Sequence, residues 1–241
     1  MDNINEQGQK YYVNSKNIAY KNKYVCWIDI MGTKNTMLES NEIAANFILR
    51  FHQAVLSMKE RFTDMKYYPV MDGVYITAEK YDRMQRMLKE LFTDLATVFC
   101  QQKANRHRFV IRGAIAYGAV IDGSLITSNV CQISPNYRKL MLLGLPVIQA
   151  YQSEKEAPPF GLYIHESARI PKNFQGRYFI WLCNDSSGIT KKLHKSINSY
   201  FNWCYAYRLY LQLDESKINR YKEQVKEFFG CLQWSPNRNN M

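Results

Sequence analysis

A short hairpin set between two long amphipathic helices constrains this chain more than any other feature. Lys66–Met71 and Val74–Thr77 are strand-like runs joined at Asp72-Gly73, and that dipeptide between two such runs is a strong hairpin signal. Ahead of it, residues 41–62 carry Ile43, Phe47, Phe51 and Val55 on one helical face. Behind it, residues 80–102 place Met84, Met87, Leu88, Leu91, Leu95, Val98 and Phe99 at helical spacing, with the methionines read as core filling. Helices on either side of a hairpin bury their apolar faces on its sheet.

The flanking segments extend this pattern. The run Tyr24-Val-Cys-Trp-Ile-Asp29-Ile30 is almost wholly apolar, as a strand buried on both faces requires. Phe109–Tyr117 reads as another strand, with turns at Gly118 and Asp122-Gly123 and a further extended run at 124–127. A helix is predicted over Pro146–Glu154, stopped by Pro158-Pro159. Phe160–Ile164 and Tyr178–Cys183 read as late strands, and 190–230 as a helical pattern rich in Tyr and Lys. The order predicts an α+β fold of ferredoxin-like plan, a mostly antiparallel sheet with helices packed on it. Three segments follow: a polar N-terminal arm over 1–22, a core domain over 23–185, and a helical C-terminal extension over 186–241.

With 241 residues, 46% of them hydrophobic, the chain can bury a core without staples. No stretch approaches the ~18 apolar residues that span a bilayer, and the opening MDNINEQGQK has no apolar core of a signal peptide, so a cytoplasmic protein is expected. Cys26, Cys100, Cys131, Cys183, Cys204 and Cys231 form no CxxC pair and read as free thiols. The net charge of +11 favours polyanionic partners, whether nucleic acid, acidic membranes or nucleoside triphosphates. Eighteen tyrosines beside 32 Lys and Arg also suit base stacking over a basic groove, which keeps nucleic-acid binding as the rival reading.

Two acids stand out by position. Asp29 interrupts an apolar strand and Asp72 occupies the hairpin tip. A carboxylate in such a run costs several kcal/mol unpaired, so it needs a cation, hydrogen-bond donors or a raised pKa. Two carboxylates at neighbouring strand ends can hold a pair of Mg²⁺ or Mn²⁺ ions; alternatively Asp29 caps the next helix and Asp72 only makes a turn. After Asp29, Ile30-Met31-Gly32-Thr33-Lys34 leads into a helix, where backbone N–H groups can cradle a triphosphate and Lys34 can neutralise it.

Together these segments resemble the class III nucleotidyl cyclases. WIDIMGTK is similar to that family's first metal motif, PVMDGVYI to the hairpin with its second metal Asp, IRGAIAYGAVIDG to its next strand from Arg112 to Gly118, and GLPVIQAYQSEKEA to its late helix. The resemblance covers about residues 24–165. It implies that Asp29, Asp72 and the backbone of Ile30 hold two Mg²⁺ or Mn²⁺ ions, and that Ile30, Gly32, Thr33 and Lys34 bind the triphosphate. It also implies a homodimer with the sites at its interface.

Two departures refine the resemblance. Four positions before the second metal Asp, where purine cyclases carry a base-selecting residue, stands Tyr68, as in the pyrimidine cyclases of bacterial antiphage defence; a packed core tyrosine is the alternative. Where purine cyclases place Asn and Arg in the late helix stand Ile148 and Gln152, while Ala150-Tyr151 with Glu154 resembles the defence cyclases. Arg112 is then the candidate cation for the transition state, or alternatively a support for the sheet. The resemblance implies conversion of UTP or CTP, UTP favoured, to the 3′,5′-cyclic monophosphate, and a downstream effector that senses it, with no direct nucleic-acid or membrane partner. A degenerate cyclase that binds nucleotide without turnover is a further alternative.

Overall fold

The computed structural model describes residues 19–126, 134–168, 170, 177–182 and 188–233. In chain order the elements are β1 (Lys21–Ile30), α1 (Thr33–Glu39), α2 (Asn41–Arg61), β2 (Lys66–Val70), β3 (Gly73–Ala78), α3 (Tyr81–Gln101), β4 (Ile111–Asp122), α4 (Pro135–Arg138), β5 (Leu142–Leu143), α5 (Leu145–Ser153), β6 (Leu162–Ile164), α6 (Ile189–Ala206) and α7 (Glu215–Gln233). The sheet runs β2-β3-β1-β4-β5, antiparallel throughout, and β6 adds to β4 in parallel. The expected α+β plan is the one observed.

Strand β1 lies between β3 and β4, which is why Val25–Ile28 is apolar at every position and buried. Its two faces meet different partners. Cys26, Ile28 and Ile30 point into the main core with Phe47, Phe51 and Val55 of α2, the Met84–Phe99 stripe of α3, and Leu193, Ile197 and Phe201 of α6. Met84 and Met87 are fully buried there, as their spacing requires. Val25 and Trp27 face the other way, with Ala116 and Val120 of β4, against Ala150 of α5. Pro146, Ala150 and Ser153 are the buried residues of α5, spaced to lay one stripe of a short helix on the sheet.

Several segments differ from expectation. Strand β4 runs unbroken through Gly118 to Asp122, because Lys21–Lys23 of β1 continues to pair with it. The run predicted at 124–127 is instead a 3₁₀ turn over Gly123–Leu125, started by Asp122, whose side chain accepts the Ser124 N–H; residue 127 lies outside the described residues. Phe160–Ile164 narrows to the three residues of β6. Among the described residues from Tyr178 onward one bridge, Tyr178 to Tyr163, forms, and Phe179, Trp181 and Leu182 are buried in the core; Cys183 lies outside the described residues. The turn after Asp29 leads first into the short helix α1, set off from α2 at Ser40, and the C-terminal helical pattern divides into α6 and α7. Cys26, Cys100 and Cys204 are buried free thiols; the other three cysteines are not described. Among the described residues no helix is long and apolar enough to cross a membrane.

Candidate active site

The sheet face that carries α5 also carries the acids. Residues opposite one another in an antiparallel pair share a face, and Asp29 stands opposite Gly73 in β3 and Arg112 in β4. Asp72, next to Gly73, forms the tip of the β2–β3 hairpin, where its carbonyl accepts the Ile30 N–H at 3.4 Å. The hairpin therefore brings the second acid to the end of the strand that bears the first. Met71, with φ 50, turns the chain at that tip. Gly73 must be glycine: a Cβ there would lie 2.3 Å from the Trp27 ring.

Asp29 does not cap α1. The capping position is Gly32, with φ 81 and no side-chain cap. The Oδ1 atom of Asp29 is instead buried without a hydrogen bond. Burial, then repulsion by Asp72 and Glu154, push its carboxyl up to about 7, against smaller opposing effects of the Ile30 backbone and Arg112. A buried carboxylate with an orphaned oxygen beside a second carboxylate fits a cation. Among the described residues no cluster of three or more His, Cys, Asp or Glu is arranged to hold a metal, so the acidic donors on offer are Asp29 and Asp72.

Arg112 and Glu154 form a hydrogen-bonded ion pair, each side chain about 12% exposed. The guanidinium also lies 5.8 Å from the ring centre of Tyr221 in α7. Arg112 is thus beside Asp29 and already engaged. Glu154 was noted in sequence only as part of a spacing; its position one turn after the buried Ala150 was the available signal. Three aromatics complete this end of the face. The Trp27 ring lies 4.4 Å from Tyr75 and 5.9 Å from Tyr151 of α5, and Tyr75 is pushed up to about 12 by burial, then by Tyr151 and Asp29.

The remaining predicted residues fall in two places. In the turn after β1, Ile30 is buried and its carbonyl accepts the Thr33 hydroxyl at 3.2 Å, while Gly32 and Lys34 are exposed. Tyr68 is not gathered with the acids. It stands opposite Tyr75 on the same face but is buried, and its hydroxyl lies beside Asp122 and Thr77.

No family model and no curated protein matches the sequence. Solved structures do. A bacterial light-regulated adenylyl cyclase superposes with a TM-score of 0.51 at 13% identity, over 80% of this chain and 61% of that one. The monomeric guanylyl cyclase domain of the RhoGC fusion protein from the aquatic fungus Blastocladiella emersonii, a double mutant, gives 0.47 at 16% identity, over 61% of this chain and 81% of that one. An adenylate/guanylate cyclase/hydrolase from Silicibacter pomeroyi gives 0.46 at 14%, over 62% and 78%. The chain has the fold of class III nucleotidyl cyclases. A fold hosts many chemistries, so the activity has to be argued from the site.

Proposed function

We propose that this protein is a nucleotidyl cyclase that converts a pyrimidine triphosphate, UTP in preference to CTP, into the 3′,5′-cyclic monophosphate and pyrophosphate. One observation carries the reading: a carboxylate with an unpartnered oxygen, Asp29, ends the central strand beside Asp72 on a cyclase fold. Asp29, Asp72 and the Ile30 carbonyl would hold Mg²⁺ or Mn²⁺, two ions per site; when bound, such ions acidify the ribose 3′-hydroxyl and neutralise the phosphates. The 3′-oxygen attacks the α-phosphorus in line, its proton passes to water, and the bond to the β-phosphate oxygen breaks as pyrophosphate leaves. Arg112 leaves Glu154 to meet the charge that develops on the α-phosphoryl oxygens. The Gly32-Thr33-Lys34 turn steadies the leaving pyrophosphate, and Tyr68 contacts the base. Two copies assemble head to tail with the sites between them, and the product signals to an effector in antiphage defence.

The test is incubation of purified protein with Mn²⁺ and each of the four ribonucleoside triphosphates, separating products beside authentic cyclic nucleotides, with Asp72→Ala in parallel. A cyclic pyrimidine product absent from the variant is the expected result. A second reading, nucleotide binding without turnover, is favoured by Ile148 and Gln152 standing in α5 and by the engagement of Arg112 with Glu154. It predicts cation-dependent UTP binding with no pyrophosphate released.

A further inference from the structure

The hairpin tip that presents Asp72 is held from outside its own two strands. Between the paired residues Val70 and Gly73 the loop is two residues long, Met71 and Asp72. The turns favoured in such loops place positive φ at the first residue or at both, so Gly, Asn or Asp is the usual occupant. Here the positive φ, 50°, falls on Met71, whose side chain is 84% exposed and adds little packing to the turn. A residue in that region persists only where its surroundings over-determine it.

The hold comes from two sides. From β1, the Ile30 N–H reaches the Asp72 carbonyl at 3.4 Å, a long bond. From α2, half-buried His52 reaches the Met71 carbonyl with its Nε2 at 2.9 Å. A carbonyl can only accept, so Nε2 carries a proton and donates, and that nitrogen is closed to a metal ion. The helix sets the ring for this task. The neighbouring Phe51 is fully buried in the core and meets the imidazole edge-on, ring centres 5.2 Å apart. The Met71 carbonyl and the Asp72 N–H belong to one planar peptide unit. A bond that fixes the first therefore fixes the plane from which the Asp72 side chain departs.

We propose that His52 is a positioning residue for Asp72: its ring N–H clamps the Met71–Asp72 peptide and so holds the second carboxylate at the end of β1 beside Asp29. This rests on the reading of Asp72 as a cation ligand. His52 touches neither substrate nor ion; it acts through the turn. A carboxylate already in place binds an ion more tightly than one that must first be ordered, and loss of such a supporting bond costs about 10–100-fold in metal affinity.

The test has two readouts, neither of them turnover. His52→Phe keeps a ring against Phe51 and loses the donor, His52→Ala is a second donor-less variant, and His52→Gln places an amide N–H about where Nε2 stands. Amide hydrogen exchange of the full chain in EDTA reads the tip: residues 70–73 are expected to exchange faster in the Phe and Ala variants and as wild type in His52→Gln, with α3 protected in all. Titration with Mn²⁺ followed by electron paramagnetic resonance reads the site. The dissociation constant is expected to rise about tenfold or more in His52→Phe and His52→Ala, and to stay within about threefold of wild type in His52→Gln. It is expected to rise further in Asp72→Ala. Tip exchange or Mn²⁺ affinity unchanged in both donor-less variants, or His52→Gln as weak as they are, overturns the proposal while Asp72→Ala still marks Asp72 as a ligand. Equal Mn²⁺ binding by wild type and Asp72→Ala overturns the reading of Asp72 as a ligand, and the proposal with it.

Discussion

With a carboxyl at about 7 in the fold and 3.8 as its ordinary value, Asp29 is close to half-protonated at neutral pH when no cation is present. The folded chain holds this proton more tightly than the unfolded chain. Stability therefore falls as pH rises from about 4 to about 7, and is flat above that window. In EDTA, the urea midpoint of the wild type is expected to drop between pH 5 and pH 8, and Asp29→Asn to flatten most of that drop. Mn²⁺ should restore stability at pH 8 in the wild type only. Equal pH slopes in the two proteins would show that Asp29 is not the group responsible. Gly73 makes a second residue-scale test. An added Cβ would meet the Trp27 ring at 2.3 Å and the Ile28 carbonyl oxygen at 2.9 Å; such overpacking costs about 1–3 kcal/mol. Gly73→Ala should therefore melt roughly 2–12 °C below wild type by calorimetry.

Between elements, the connection from α6 to α7 reaches back to the helix that follows Asp29. The Asn35 amide of α1 donates to the carbonyls of Leu211 and Gln212 at 3.2 and 2.9 Å. Asn35→Ala removes both bonds, at a cost of about 1 kcal/mol. Amide hydrogen exchange by mass spectrometry should then speed up in 207–214 and in α1, while α3 stays protected. The same scale separates what the sequence discloses from what it hides. The hairpin at Asp72-Gly73, the helices flanking it and the strand bearing Asp29 are local patterns, written in dipeptide chemistry and in the spacing of apolar residues. That Asp29 faces Arg112 is a matter of register between β1 and β4, which neither strand encodes alone. Glu154 reaches Arg112 only because α5 folds across the sheet. The strand position of Tyr68 was legible too, but that its hydroxyl lies beside Asp122 of β4 depends on how two strands that are not neighbours are brought together by the sheet.

Across the whole molecule, the charge of +11 is what the rival reading, nucleic-acid binding, rests on. That reading predicts tight, steeply salt-dependent binding to RNA or DNA that is indifferent to Asp29→Ala. Assembly is the sharper question. Strand β5 and helix α5 leave Leu143, Leu145, Ile148 and Tyr151 substantially exposed, on the element that also delivers Glu154 to Arg112. An apolar strip beside a site is a candidate contact between copies, and the proposed head-to-tail pair supplies a partner for it. Ile148 is 53% exposed, so Ile148→Asp should leave the fold and melting temperature nearly unchanged. Analytical ultracentrifugation is expected to find two chains per particle for the wild type and one for Ile148→Asp. If the active site is shared between copies, cyclization should fall with the dimer, by a factor of about 10² or more, while Asp72→Ala loses turnover as a dimer. A monomeric Ile148→Asp that still turns over at the wild-type rate would place the complete site within a single chain.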